Sequence, residues 1–253
     1  MKTEIIRKLG EIECAHNIKI LFACESGSRG WEFPSPDSDY DVRFIYTRPL
    51  DDYLSVSDSP DHLDFPINNE LDINGWDIKK VLKLIRKSNT TPFEWLQSPI
   101  IYMEHDHFKE DLWKLCQQYF YRKTNVNHYL GIALGALETG TNAGEIKIKK
   151  LFYVLRSLLS AKWCLEKNTI APMTIEPLIT LMPENLMEIV RELILLKSTS
   201  NEGFLIKIVP QLSAYIDHEF EKCSVGAKDL PKESFSGEAL DIFFRKTIKS
   251  YDN

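Results

Sequence analysis

At 253 residues, with 43% apolar and 27% charged side chains, the chain is long enough for one large domain or two smaller ones, each with its own core. A net charge of −6 excludes a broad electrostatic grip on nucleic acid, which needs a basic face, and leaves room only for a local basic patch. Five scattered cysteines, an odd number without C-x-x-C spacing, exclude a fully paired disulfide framework and read as buried thiols of a reducing compartment.

Glu4 to Cys14 carries Ile5, Leu9 and Ile12 at helical spacing, which predicts a short amphipathic helix ending near His16. Ile18 to Cys24 then has the length and composition of a buried strand, broken by the small and polar residues from Glu25 to Gly30. Gly27, Ser28 and Arg29 predict a tight turn into a short helix whose backbone N–H groups face an anion. There Gly27 permits close approach, Ser28 adds a hydroxyl and Arg29 a charged fork. Phe33 to Ser38 holds two prolines and predicts a stiff loop, with Ser38 placed to orient Asp39.

Asp39 and Asp41 enter a second strand continued by Val42, Phe44, Ile45 and Tyr46, and a spacing of two directs both carboxylates to one face. Like charges held so closely call for a cation between them, and carboxylates combined with substrate phosphates suit Mg²⁺. The alternating acids Asp37, Asp39 and Asp41 also imitate the start of a calcium-binding EF-hand loop. That reading fails, because the loop's glycine and glutamate positions fall on Val42 and Arg48 and its flanks read as strands.

Thr47 to Asn69 lacks periodicity and predicts a loop with short turns, disordered near Ser55 to Asp61. Glu70 to Asn74 resumes a strand in which Asp72 lies between Leu71 and Ile73, the expected place of a third carboxylate. Asp77 competes for that role, but it stands immediately before Ile78, Val81, Leu82 and Ile85 at helical spacing and is better read as an N-cap. The cations of that helix, Lys79, Lys80, Lys83, Arg86 and Lys87, read as a solvated face or as contacts to an RNA acceptor. A turn, a brief helix and an extended piece over Asn89 to Met103 close the first domain, and His105 and His107 read as a polar connector.

From Phe108 onward helical periodicity dominates. It predicts helices over Phe108 to Arg122, Asn127 to Thr139, Glu145 to Glu166, Ile175 to Met182, Glu184 to Lys197, Phe204 to Lys222 and Glu238 to Tyr251. On the third of these, Lys149, Tyr153, Arg156 and Ser160 share one stripe, opposite Leu151, Val154, Leu155 and Leu158. The first stripe reads as a ligand face or as an ordinary exposed face. No apolar run approaches the roughly eighteen residues of a membrane span, and no early apolar segment follows Met1, so the cytoplasm is the expected compartment.

Gly27-Ser28 followed by Asp39-Tyr40-Asp41 resembles the signature of the DNA polymerase beta nucleotidyltransferase superfamily, a Gly-Ser turn before an Asp-x-Asp pair. The longer string Glu25 to Tyr46, together with Leu71 to Asp77 (LDINGWD), resembles a narrower branch, the bacterial and phage nucleotidyltransferases predicted to accompany RNA ligases in RNA repair. The resemblance implies an α+β fold: a mixed sheet with flanking helices over residues 1–103, then an all-helical domain over 104–253. It adds Asp72 as the third acid of the pattern. It also implies that the helical domain closes over the nucleotide, with Lys149 and Arg156 holding phosphate oxygens and Tyr153 near the base or sugar.

The expected activity is transfer of a nucleoside monophosphate from an NTP to an acceptor hydroxyl with release of pyrophosphate. Asp39, Asp41 and Asp72 would hold two Mg²⁺ ions, with Mn²⁺ as a substitute. The resemblance points to an RNA end as acceptor, with a small molecule or a protein side chain as alternatives. The reading of a different class is a regulatory nucleotide-binding module, antitoxin-like or partner-binding, with little turnover. Neither the NTP nor the oligomeric state is readable from the sequence.

Overall fold

The computed structural model describes residues 1–66, 70–142 and 145–251, apart from the side chains of residues 140–142. They form α1 (Lys2–His16), β1 (Lys19–Glu25), α2 (Gly27–Gly30), β2 (Tyr40–Thr47), α3 (Leu50–Leu54), β3 (His62–Asp64), β4 (Leu71–Asp77), α4 (Ile78–Arg86), α5 (Thr90–Trp95), β5 (Ile101–Glu104) and α6 (Phe108–Gln117). There follow α7 (Arg122–Gly140), β6 (Thr141–Asn142), β7 (Glu145–Lys147), α8 (Ile148–Lys167), α9 (Ile175–Ile179), α10 (Glu184–Thr199), β8 (Leu205–Lys207), α11 (Pro210–Lys228) and α12 (Glu238–Ser250). The fold is mixed α+β, as expected.

Two compact units arise, and they are not drawn along the linear split of 1–103 and 104–253. One comprises residues 1–30, 39–119 and 234–253, and the other 31–38 and 120–233. The stiff Pro-Ser-Pro loop thus belongs to the second unit. The last helix, α12, packs on α4 in the first, where the Phe244 ring meets Tyr53 and Arg86 Nε donates to the Phe235 carbonyl.

In the first unit the sheet order is β3-β4-β2-β1-β5; β1 runs antiparallel to β2 and β5, β3 antiparallel to β4, and β2 parallel to β4. The predicted loop after β2 supplies the crossover that a parallel pair needs. It carries two short elements that periodicity could not disclose, α3 and the edge strand β3, and Pro60 and Asp61 accept hydrogen bonds from Tyr46 and Lys80. Residues 67–69 of that segment lie outside the described residues. Ile5, Leu9 and Ile12 of α1 are buried with Val42, Phe44, Leu71 and Ile73, so the helix periodicity and the strand alternation meet in one core.

Gly75 of β4 is part of that packing. A Cβ there would lie 2.1 Å from Cζ of Phe44, whose ring is fully buried. Gly75→Ala is expected to destabilise the protein by about 1–3 kcal/mol, the usual cost of overpacking, and trimming the ring with Phe44→Leu in the same chain should restore part of the loss in a denaturant titration. Equal stability of Gly75→Ala and the parent would show that the ring moves freely.

The second unit is mainly helical, as predicted, with an addition: β6, in the gap between two predicted helices, and β7 and β8, at segments that had read as helix starts, form a small antiparallel sheet. Its core joins α7, α8, α9 and α11 around Leu151, Phe152, Leu155 and Leu158. Of the five cysteines, all free, four are buried, and burial pushes the thiols of Cys164 and Cys223 up to about 12; Cys14 is exposed, contrary to the expectation that all five are buried. No helix among the described residues is long and apolar enough to cross a membrane.

Candidate functional site

Parallel pairing of β2 with β4 sets Asp41 opposite Asp72, with Tyr40 opposite Leu71 and Val42 opposite Ile73. Partners in register point to the same side, and the apolar neighbours are buried on the other. The two carboxylates, about three-tenths exposed, are joined by Arg43, whose Nη2 donates to Asp41 Oδ1 at 3.0 Å and to Asp72 Oδ2 at 2.7 Å.

The turn after β1 is tied directly to this pair. Ser26 N–H donates to the Asp41 carbonyl at 2.8 Å, and Asp41 N–H donates to Oε1 of Glu25 at 2.8 Å. Gly27 has φ 58°, and a Cβ on it would lie 1.9 Å from Asp41 Oδ2, so only glycine lets the turn close on the carboxylate. Ser28 is buried, and Arg29 stacks over the Tyr40 ring at 4.0 Å while its Nε donates to the Asp39 carbonyl at 3.1 Å. The predicted helix α2 is a single turn, too short for a sizeable dipole.

Asp41 and Asp72 are brought together, whereas Asp39 is exposed and precedes β2, outside the alternation that aligns Asp41. Among the described residues, no group of three or more His, Cys, Asp or Glu side chains is placed to hold a metal ion. The donor set nonetheless suits a hard divalent cation: carboxylate oxygens, partly exposed and already gathered around a positive charge. Asp77 is the N-cap of α4, accepting from Lys79 N–H at 2.7 Å and from the Tyr53 hydroxyl at 2.9 Å. His107 stands at the start of α6 with φ 58° and His105 meets the Tyr251 ring, which fits a connector.

Two residues of this site escaped the sequence reading. Arg43 continues the period-two alternation from Asp41, and that spacing was the available signal. Glu25 read as a strand breaker, but it ends β1 fully buried; Tyr102 donates its hydroxyl to Oε2, and Ser98 donates to the Glu25 carbonyl at 2.6 Å. Burial pushes the Glu25 carboxyl above its ordinary value of 4.5, against the hydrogen bonds from Tyr102 and Asp41, and the neighbouring Asp41 charge pushes the same way.

A carboxyl raised in this way binds its proton more tightly when folded. Its stabilising contribution is present below the unfolded value and is lost as pH rises through the folded one. Glu25→Gln retains the hydrogen-bonding shape but not the titration, so the melting temperature of the parent relative to this variant is expected to fall as pH is raised from 4.5 through the elevated value. A difference independent of pH would place Glu25 elsewhere than in this buried network.

In the second unit, the stripe on α8 is buried at Arg156 and Ser160 and partly exposed at Lys149 and Tyr153. Arg156 is buried, donating from Nε to the Met173 carbonyl at 3.0 Å and lying 4.3 Å from the centre of the Trp31 ring. Tyr153 meets Trp31 edge-on, Ser160 is fully buried, and Lys149 pairs with Glu202. Glu202 also accepts from the Ser38 hydroxyl at 2.8 Å, so Ser38 here anchors the proline loop. Leu151, Val154, Leu155 and Leu158 are buried as well, so from Val154 onward both stripes of α8 lie largely inside the unit.

The chain is 38% identical over 235 residues to the uncharacterized protein YcgL of Bacillus subtilis (strain 168), covering 92% of this chain and 90% of that protein. A nucleotidyltransferase-like protein of known structure from Exiguobacterium sibiricum 255-15 aligns over 96% of this chain and 80% of its own, at 13% identity and a TM-score of 0.31. The family described as RNA repair pathway DNA polymerase beta family (RlaP) matches residues 1–246, and the chain belongs to that family.

Proposed function

We propose that the protein is a metal-dependent nucleotidyltransferase that moves a nucleoside monophosphate from an NTP to an acceptor hydroxyl and releases pyrophosphate. The supporting observation is the pairing of Asp41 with Asp72 in register, with the Gly27 turn closed against the Asp41 carboxylate. Asp41 and Asp72, joined by Asp39 from the end of the loop, would hold Mg²⁺ or Mn²⁺. An ion held there would supply positive charge to orient the triphosphate and offset charge on the leaving pyrophosphate. Gly27 lets the turn close on Asp41, and Ser28 and Arg29 would donate to the β and γ phosphates. The acceptor oxygen bonds to the α phosphorus as the bond to pyrophosphate breaks, and Asp72 takes the hydroxyl proton.

Within the helical unit, Arg156 acts through Trp31, which it holds against Tyr153. Family membership favours an RNA end as acceptor, within RNA repair. Incubating the protein with each α-labelled NTP, Mg²⁺ and cellular RNA is expected to label RNA and release pyrophosphate in equal amounts. Label on protein or metabolites instead would redirect the acceptor.

A second reading draws on Arg43, a cation already seated between the carboxylates: a nucleotide-binding module that regulates a partner without turnover. Nucleotide-induced stabilisation against heat, with no pyrophosphate released, would favour it over catalysis.

A further inference from the structure

Two carboxylates on neighbouring strands repel unless a cation stands between them, and here the cation is part of the chain. Besides its bonds to both carboxylates, Arg43 donates from Nη1 to the carbonyls of Val42 at 3.0 Å and Asp72 at 2.9 Å. Four hydrogen bonds to two strands therefore fix a guanidinium that is 18% exposed. Arginine stays charged at every working pH, so this positive charge is permanent.

Resting on the nucleotidyltransferase reading, we propose that Arg43 takes the place of the ion expected between Asp41 and Asp72, so that the chain itself holds one divalent ion rather than two. Asp72 then meets the acceptor hydroxyl as a carboxylate already oriented by Arg43, and the demand for metal is that of a single site. Arg43 is a positioning residue in this scheme: it acts through Asp41 and Asp72.

Titrating the full chain with Mn²⁺ alone, and following free Mn²⁺ by electron paramagnetic resonance, counts the ions directly. One ion per chain is expected for the parent. Arg43→Gln, which keeps an amide donor but loses the charge, should take up a second ion and bind the first about tenfold more tightly, because the repulsion between guanidinium and metal is gone. Arg43→Lys keeps the charge and should keep the count at one. A metal-free melting curve verifies that each variant is folded. Two ions in the parent, or a single ion in folded Arg43→Gln, would overturn the role of Arg43 and leave the transferase reading intact. No ion in either protein would overturn both. The parent's count stands by itself if Arg43→Gln does not fold.

Discussion

Asp41→Asn is expected to lower transfer of a labelled nucleoside monophosphate by on the order of 10³-fold, the size of loss seen when a charge-stabilising group is removed from a reacting centre. Stability should change by no more than about 1 kcal/mol. The amide has the carboxylate's shape, so the close approach of Gly27 persists. The backbone bonds from Ser26 to Asp41 and from Asp41 to Glu25 are untouched, and Arg43 keeps an oxygen acceptor. What disappears is one negative charge between the Gly27 turn and Arg43, where the proposal places the ion. Asp72→Asn should behave alike, since it occupies the paired position and meets the same guanidinium. Transfer at parental rates in either variant, measured with pyrophosphate release as a second readout, would remove the metal-carboxylate mechanism.

Gly27→Ala is expected to damage both folding and transfer. The left-handed backbone at φ 58° costs a residue with a side chain about 1 kcal/mol or more, and the added methyl meets Asp41 Oδ2 at 1.9 Å and Cγ at 2.8 Å. Asp41 is a short side chain pinned by Arg43, so it can yield only by giving up that bond, or the turn can open. A total destabilisation of about 1–3 kcal/mol is expected, a fall of roughly 2–12 °C in melting temperature for a chain of this size. Transfer should drop further than the folded fraction does, because the carboxylate is displaced in molecules that remain folded. Gly27→Asn separates the two causes: asparagine tolerates the left-handed backbone but carries the same Cβ. It should recover part of the stability and little of the transfer. Parental activity in Gly27→Asn would mean that the turn and Asp41 are not mechanically coupled.

Much of this arrangement is readable one residue at a time. Alternation along Asp41, Val42 and Phe44 assigns a polar and an apolar face to β2, and Leu71, Asp72 and Ile73 do the same for β4, because side chains on a strand point alternately to its two sides. The positions of Ile5, Leu9 and Ile12 define a helix with a buried stripe, and Asp77 before an apolar run at helical spacing defines a cap. These features depend on neighbours within a few residues, and so local sequence alone determined them.

Other features depend on partners distant in the chain, and only the tertiary structure decided them. That Asp41 lies opposite Asp72 follows from the register of a parallel pair whose strands are joined by a crossover. Asp39 falls outside the pair because β2 begins one residue later. Glu25 looks like a strand breaker until Tyr102, Ser98 and the Asp41 amide supply the hydrogen bonds that let a carboxyl be buried. Arg156 looks like an amphipathic surface cation until Trp31 and the Met173 carbonyl enclose it. Periodicity reports which side of an element is apolar, but it carries no information about which remote group satisfies a buried charge, and in this protein that satisfaction separates Arg43, Glu25 and Arg156 from ordinary surface residues.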